Sequence, residues 1–486
     1  LVLVLVPPAY AHDGEASPIA GPLAWALMGF GVLVIAVVGA ILFARQTGDS
    51  AVDATDFERL SGFSGYIGKM RLFSRNARLY MIHIVGMDVI FGTWNVVFNL
   101  YLLAVGMDVA FVGLRILISS VAGALVAIPA GLISDRIGRK LSFVLGDGVG
   151  ALMSLIAIST LNPAVLLITG AIGGIFSGLH GVSEPAFMAE NSEDYERVHL
   201  FSVSNGMRTA AAIIGSALAG LVPLIVLADQ PEQLVVTYRY VAYFGIAGWF
   251  ASLIPALLLT RKAEAVQPEA RPGGLRALFS NVKHPRRIWH LTLPEVFVAM
   301  GAGFVLPLLN VFFDREIGSP AVEIGTTFAA GQAFLVVGSF LAPLVAARMG
   351  KVRSVVATRL LSVPFILLLG FSGQAGSLVG SVLSVAGFAY VMRITLMNMA
   401  SPVRSAFGME ILDPGERGTQ VGVEHALAGA VSGATAYIGA QLMDGGDFQT
   451  PFLLMAAAYL VGTYLFWQFF NGRERELSLA PAVAET

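Results

Sequence analysis

Gly131-Leu132-Ile133-Ser134-Asp135-Arg136-Ile137-Gly138-Arg139-Lys140 decides how this chain folds. The stretch joins two long apolar runs and packs a carboxylate, three cations and two glycines into ten residues. Charges at that density do not sit in hydrocarbon, so the link turns at a membrane surface.

Working outward, apolar runs occupy 22–44, 79–104, 110–134, 141–160, 164–188, 200–227, 236–260, 289–313, 322–347, 352–371, 378–400, 418–443 and 451–470. Each is close to the roughly 20 residues that cross a bilayer as helix. Strands of a membrane barrel would be about 10 residues with alternating polarity, which these runs lack. The chain has 486 residues, 56% hydrophobic and 13% charged, against about 25% charged in soluble domains. A net charge of −2 gives no basic excess for nucleic acid. With no cysteine, disulfides, thiolate metal sites and Cys nucleophiles are excluded. No P-loop, G-x-S-x-G or H-E-x-x-H occurs, so ATP hydrolysis and covalent catalysis have no visible site, and neither an enzyme nor a cofactor is expected.

Lys and Arg in the links set the orientation. Alternate links and the tail hold 24 of the 30 cations, the opposite links only Arg239 and Arg315, and Arg115, Arg208, Arg359 and Arg393 fall inside spans. The basic side is therefore expected to be cytoplasmic, with the C-terminus inside and the segment before Pro22 outside. Residues 1–11 read as a signal-peptide remnant ending in Ala9-Tyr10-Ala11, or as an uncleaved tail.

The chain also repeats itself. About 212 residues after Gly131 comes Pro343-Leu344-Val345-Ala346-Ala347-Arg348-Met349-Gly350-Lys351, with the turn and cations kept and the carboxylate replaced by Ala347. A second echo pairs the stretch from Pro185 to Arg197 with that from Ala406 to Arg417. Parallel repeats of six spans suit a carrier whose halves rock about a site between them.

G-x-x-x-D-R-x-G-R-K closely resembles the loop between helices 2 and 3 of the major facilitator superfamily of transporters. The resemblance covers about Leu79 to Phe470. It implies an all-α membrane protein with twelve helices in two six-helix halves, here with an extra N-terminal transmembrane helix. The expected division is 1–11 remnant, 12–44 extracellular tail and extra helix, 45–78 basic linker, 79–260 first half, 261–288 interdomain linker, 289–471 second half and 472–486 tail. Within the basic linker, 56–78 reads equally as an interfacial helix or as a linker ordered by its neighbours. The resemblance implies a gating role for Gly131, Asp135, Arg136, Gly138, Arg139 and Lys140, with Asp135 stabilising the outward-open state across the two halves. One candidate partner is the helix start at Asp413-Pro414-Gly415-Glu416, which carries a cap residue, a first-turn proline and a carboxylate three positions on. The bland alternative is that Asp135 only neutralises Arg136 and Arg139.

Ionisable groups inside spans are costly and become candidates for function. Asp88 lies near the middle of the first bundle span, with His83 before it and Asn95 and Asn99 after it on roughly one face. It is a candidate proton carrier, or a structural partner of Arg115. Glu184 and His180 share a helix face, and Arg208 lies at a depth to pair with Glu184. Glu295, beside Pro294, and Glu424 with His425 are further candidates. Arg393 is a candidate for an anionic ligand, or snorkels to the inner surface. Asp147 carries little weight. The seven histidines form no dense cluster along the sequence, and no metal site is expected. Gly429-x-x-x-Gly433 and Gly215-x-x-x-x-Gly220 allow close helix approach. The run from Gly206 to Pro223 is similar in outline to the family's antiporter motif but lacks its Gly-Pro pair.

The expected function is proton-coupled efflux of an amphipathic small molecule by alternating access, from a plasma membrane. The expected partners are that substrate, protons and the lipid bilayer, for a monomer that binds no nucleic acid. Uptake of a nutrient or organic anion is the alternative within transport. A non-transporting membrane sensor or assembly protein is the alternative of another class.

Overall fold

The computed structural model describes residues 69–70, 72–227, 233–260 and 282–472, and all its regular structure there is helical. The expected extra span at 22–44, the remnant at 1–11, most of the 45–78 linker and residues 261–281 lie outside the described residues.

The first six helices are α1 (Arg75–Ala104), α2 (Val109–Ile137), α3 (Arg139–Ser159), α4 (Pro163–Glu190), α5 (Asp194–Leu227) and α6 (Leu234–Leu257). Then come α7 (Pro285–Val305), a 3-10 turn (Leu306–Leu308), α8 (Leu309–Arg315), α9 (Ala321–Met349), α10 (Lys351–Gly370) and α11 (Ser372–Val379). The chain ends in α12 (Val382–Ile411), α13 (Pro414–Asp444) and α14 (Thr450–Phe470). Polar caps set several starts. Ser74 accepts from the Ala77 amide, Asp108 from Phe111, and Asn162 from Ala164 and Val165 just before Pro163. Such caps satisfy amides that the first turn leaves free.

Among the described residues, eleven helical stretches, with α7 and α8 taken together, are long and apolar enough to cross a membrane. The long helix α13 is not among them: polar residues fill its first turns, and the rest is rich in Gly, Ser and Thr.

Both repeated loops turn in the same way. Gly138 has φ +88° and its amide donates to the Ser134 carbonyl at 2.9 Å; Gly350 has φ +83° and donates to Ala346 at 2.9 Å. Each glycine carbonyl then accepts the amide four residues on, Ser142 or Ser354, at 3.1 Å. A side chain at that φ would clash with the backbone, so the repeat needs glycine there. We call the side carrying these two loops the basic face and the opposite side the far face.

Helix pairing repeats as well. In the first six, α1 packs on α5 and α6, α4 on α2 and α3, and α3 on α6; in the second set, α7 packs on α13 and α14, α12 on α9 and α10, and α10 on α14. The two sets meet through α2 on α13 and α5 on α9. Their apolar cores differ by depth. Toward the far face one continuous core runs through both sets, joining Val96, Phe98 and Tyr101 to Leu308, Val311 and Phe312. At the basic face there are two separate cores, one around Tyr80, Phe143 and Phe187, the other around Val355, Phe407 and Phe466.

Glycines trace the same asymmetry. A Cβ added at Gly325 would lie 2.5 Å from the Ser216 carbonyl oxygen, and one at Gly433 2.6 Å from the Ser120 Cβ. At Gly206, Gly418 and Gly422, nearer the basic face, it would meet nothing within 4 Å. The sets are joined at the far face and part toward the basic face.

Candidate functional site

The far-face junction is pinned by amide groups. The 3-10 turn at Pro307 breaks α7 from α8 and leaves carbonyls outside the helical ladder. Asn99 of α1 donates to the Pro307 carbonyl at 2.8 Å and to Asn310 Oδ1 at 3.0 Å. Asn310 in turn donates to the Val96 carbonyl at 3.0 Å. Across the other seam, Asp444 at the end of α13 accepts the Val109 amide at 3.0 Å, satisfying the first turn of α2 from the opposite set. Asn95, expected beside Asn99, is exposed and outside this clamp.

Toward the basic face each set holds a cluster of charges. In the first, Arg208 of α5 donates to Glu184 of α4 at 2.6 Å, and its Nε lies 3.8 Å from Asp88 of α1. Arg208 thus reaches Glu184, but Asp88 is paired with Arg208 instead of Arg115. The Arg115 guanidinium lies over the Phe98 ring, 4.4 Å from its centroid. Two carboxylates face one guanidinium here, and Asp88 Oδ2 is buried with no hydrogen-bond partner.

The hydrogen bonds of His83 go to α6 and α3. The residue is fully buried, with Nδ1 2.8 Å from the Ser252 carbonyl and Nε2 2.9 Å from Asp147 Oδ2. His180 Nδ1 meets the same oxygen at 2.8 Å, and its Nε2 lies 3.2 Å from the Tyr80 hydroxyl. The fold therefore clusters two histidines and a carboxylate that are far apart in sequence. Their donor atoms lie within 4.8 Å of one another, the one such group of three His or acidic residues among the described residues. Asp147, given little weight by its position, thus meets two histidines that lie far apart along the sequence. No periodicity within a single helix signals it, because α1, α3 and α4 each contribute one residue.

In the second set, Glu295 of α7 pairs with Arg359 of α10 at 2.6 Å and lies 3.4 Å from Arg404 Nε of α12. Arg404 grips Glu424 of α13 with two bonds, 2.7 and 3.1 Å, and Gln420 donates to the same carboxylate at 2.6 Å. Charge is balanced here, two guanidiniums against two carboxylates. His425 points away and is exposed. Arg393 is 4% exposed and hydrogen-bonds the Tyr459 hydroxyl inside the second set. It lies about 27 Å along the helix from Ile411 at 1.5 Å per residue, so it does not snorkel to the basic face.

At the basic-face surface, Arg139 bonds Glu190 at 3.1 Å and Ser134 at 2.8 Å, while Lys351 bonds Glu410 in the repeated position. Arg136 is exposed, Lys140 is half-buried, and a Cβ on Gly131 would approach Val182 at 3.5 Å. The side chain of Asp135 lies outside the described residues. Its candidate partner departs from expectation: Asp413 makes no side-chain cap bond, and Glu416 accepts the Lys283 and His284 amides at 2.6 Å, tying the start of α13 to the start of α7.

Two related helical sets, joined at one face, parted at the other and each holding a buried charge cluster, are the architecture of a membrane carrier. The Major Facilitator Superfamily model matches residues 84–423, and the chain belongs to that superfamily. No curated protein matches the sequence. Among solved structures, the nucleoside transporter NupG superposes with a TM-score of 0.64 at 15% identity, over 82% of this chain and 100% of that one. A bacterial homologue of the iron transporter ferroportin, in an inward-facing state, gives 0.62 at 15%, over 82% and 99%. A D-xylose-proton symporter gives 0.62 at 14%, over 81% and 97%.

Proposed function

We propose that this transporter is proton-coupled and exports an amphipathic small molecule, with the basic face in the cytoplasm and the far face outside. One observation carries the reading: among the described residues, Asp88 and Glu184 share one guanidinium, that of Arg208. A surplus buried carboxylate is costly unless it takes up a proton or a cationic partner. A site that alternates between those two occupants exchanges them, and alternating access then moves them in opposite directions. The balanced second cluster has no such surplus and acts as fixed structure. The strong excess of cations in the basic-face links supports the orientation. Asp135 retains the gating role that its motif suggests. A sensor that moves nothing would need neither the parting at one face nor the surplus carboxylate.

The test is transport in proteoliposomes with and without an imposed proton gradient, wild type against Asp88→Asn. The expected result is loss of gradient-driven accumulation in the variant, with downhill exchange retained. Gradient-driven transport at wild-type rates in Asp88→Asn would remove Asp88 from that role.

A further inference from the structure

Three helices of the first set converge on one carboxylate oxygen. His83 of α1 and His180 of α4 each bring a ring nitrogen to Asp147 Oδ2 of α3, at 2.9 and 2.8 Å. A fourth helix, α6, acts one step back, with the Ser252 carbonyl 2.8 Å from His83 Nδ1. A carbonyl only accepts, so His83 Nδ1 carries a hydrogen, and the lone pair of a neutral ring is then on Nε2, aimed at Asp147. An ionised carboxylate likewise offers only lone pairs. A cation held between these atoms satisfies both. His180 is placed in the same way: Nδ1 faces Asp147, and Nε2 lies 3.2 Å from the Tyr80 hydroxyl, which can accept its hydrogen. Each imidazole thus has an outer partner for its second nitrogen, the arrangement that orients metal-binding histidines and fixes which nitrogen is bare.

The spacing fits an ion. All three donor atoms lie within 4.8 Å of one another. With metal bonds of about 2.0–2.2 Å, tetrahedral donors stand about 3.4 Å apart. The two short contacts here need to open by only about half an ångström to reach that spacing. All three residues are buried, and a carboxylate buried inside a span is costly without a cation. The repeat supports this from a different direction. About 212 positions after His83 and Asp147 stand Glu295 and Arg359, joined at 2.6 Å. There the cation is a guanidinium built into the chain. In the first set, among the described residues, Asp147 pairs with imidazoles alone, so the permanent cation has to come from outside.

We propose that His83, Asp147 and His180 bind one divalent transition-metal ion, which ties α1, α3 and α4 together inside the first set. Two imidazoles and a carboxylate suit zinc, cobalt or nickel, whereas calcium and magnesium favour all-oxygen sites and copper(I) favours sulfur. The second oxygen of Asp147 can serve as a fourth donor. The ion is a fixed tie and not cargo, as the Glu295–Arg359 pair is a fixed tie in the other half. Its ligands share no residue with the cluster of Asp88, Glu184 and Arg208. The site therefore goes beyond the reading above and stands whether or not transport is proton-coupled.

The experiment takes the full chain in detergent, purified through a histidine-free tag, stripped with a chelator and titrated with zinc chloride alone. The expected result is one zinc per chain by mass spectrometry after desalting. The thermal unfolding midpoint should rise by about 5 °C at a hundredfold excess over Kd, and calcium chloride should leave it unchanged. His180→Gln and Asp147→Asn should each weaken zinc binding at least about a hundredfold. His425→Gln, at an exposed histidine outside the trio, should bind as wild type does. A trio variant can fail to fold, so zinc-edge X-ray absorption on the wild-type chain reads the ligands directly, with two imidazoles expected. Less than stoichiometric zinc, wild-type affinity in His180→Gln, or an absorption spectrum without two imidazoles would each overturn the site.

Discussion

Gly325→Ala should open the far face. The added Cβ would lie 2.5 Å from the Ser216 carbonyl oxygen and 3.0 Å from Gly220 N and Cα, where ordinary contact begins at 3.4 Å. All three neighbours are backbone atoms of α5, so no side-chain rotation relieves the overlap. The helices α5 and α9 must separate by roughly 1 Å to restore normal packing. Overpacking of this kind costs about 1–3 kcal/mol. The cost falls only on the state in which α5 and α9 touch, so the balance shifts by about 5- to 150-fold toward a state open at the far face. The chain has no cysteine, which allows single reporters without a background. Ser120→Cys sits on α2 against Gly433 in the far-face seam; Gly422→Cys sits where an added Cβ meets nothing within 4 Å. Maleimide labelling at Ser120→Cys should rise in proportion to the minor state, by the factor above. Labelling at Gly422→Cys should fall only once the present state ceases to be the major one. Gly373→Ala, which adds a Cβ in open space, serves as control. An unchanged Ser120→Cys rate in a properly folded Gly325→Ala protein would refute the assignment of this seam as a gate.

Arg359→Met should lower stability by about 3–5 kcal/mol, because Glu295 loses its closest partner in a buried setting. Adding Glu295→Gln should restore part of that loss, and thermal unfolding in detergent showing no such recovery would contradict the pairing. Gly138→Ala and Gly350→Ala should each cost about 1–3 kcal/mol of strain at their positive φ. They lie in separate loops, so the double variant should show the sum within about 0.5 kcal/mol; a smaller combined loss would mean that the two turns do not carry the strain independently.

Much of the fold was legible because a bilayer imposes a simple rule: backbone polar groups must bond within the segment, so each span is a helix and each helix is a long apolar run. Gly131 to Lys140 and its echo at Pro343 to Lys351 gave the repeat, and the positive φ of Gly138 and Gly350 explains why both copies keep that glycine. Glu184 and Arg208 could be paired on depth alone. For Asp88 the partner expected by position was Arg115; α5 packs against α1 and brings Arg208 to it instead. The snorkelling alternative for Arg393 fails because α12 runs on to Ile411, well past the expected span end at 400. Asp413 looked like a cap because its local sequence suits one, yet the end of the 261–288 linker claims Glu416 first.

By itself the sequence determined that this is a helical membrane protein built from two related halves, since apolar run length, loop charge and the 212-residue echo are properties of the chain read in order. Only the tertiary structure decided which residues meet. Asn99 with Asn310, and His83 with Asp147 and His180, come from helices whose rotation about their own axes is set by packing against neighbours, including glycine contacts that bring backbones together. A linear pattern records how deep a residue lies, and it leaves open which way that residue faces when most of a span is apolar on every side. The direction was settled by interdigitation at the far face and by buried charge seeking its opposite at the basic face.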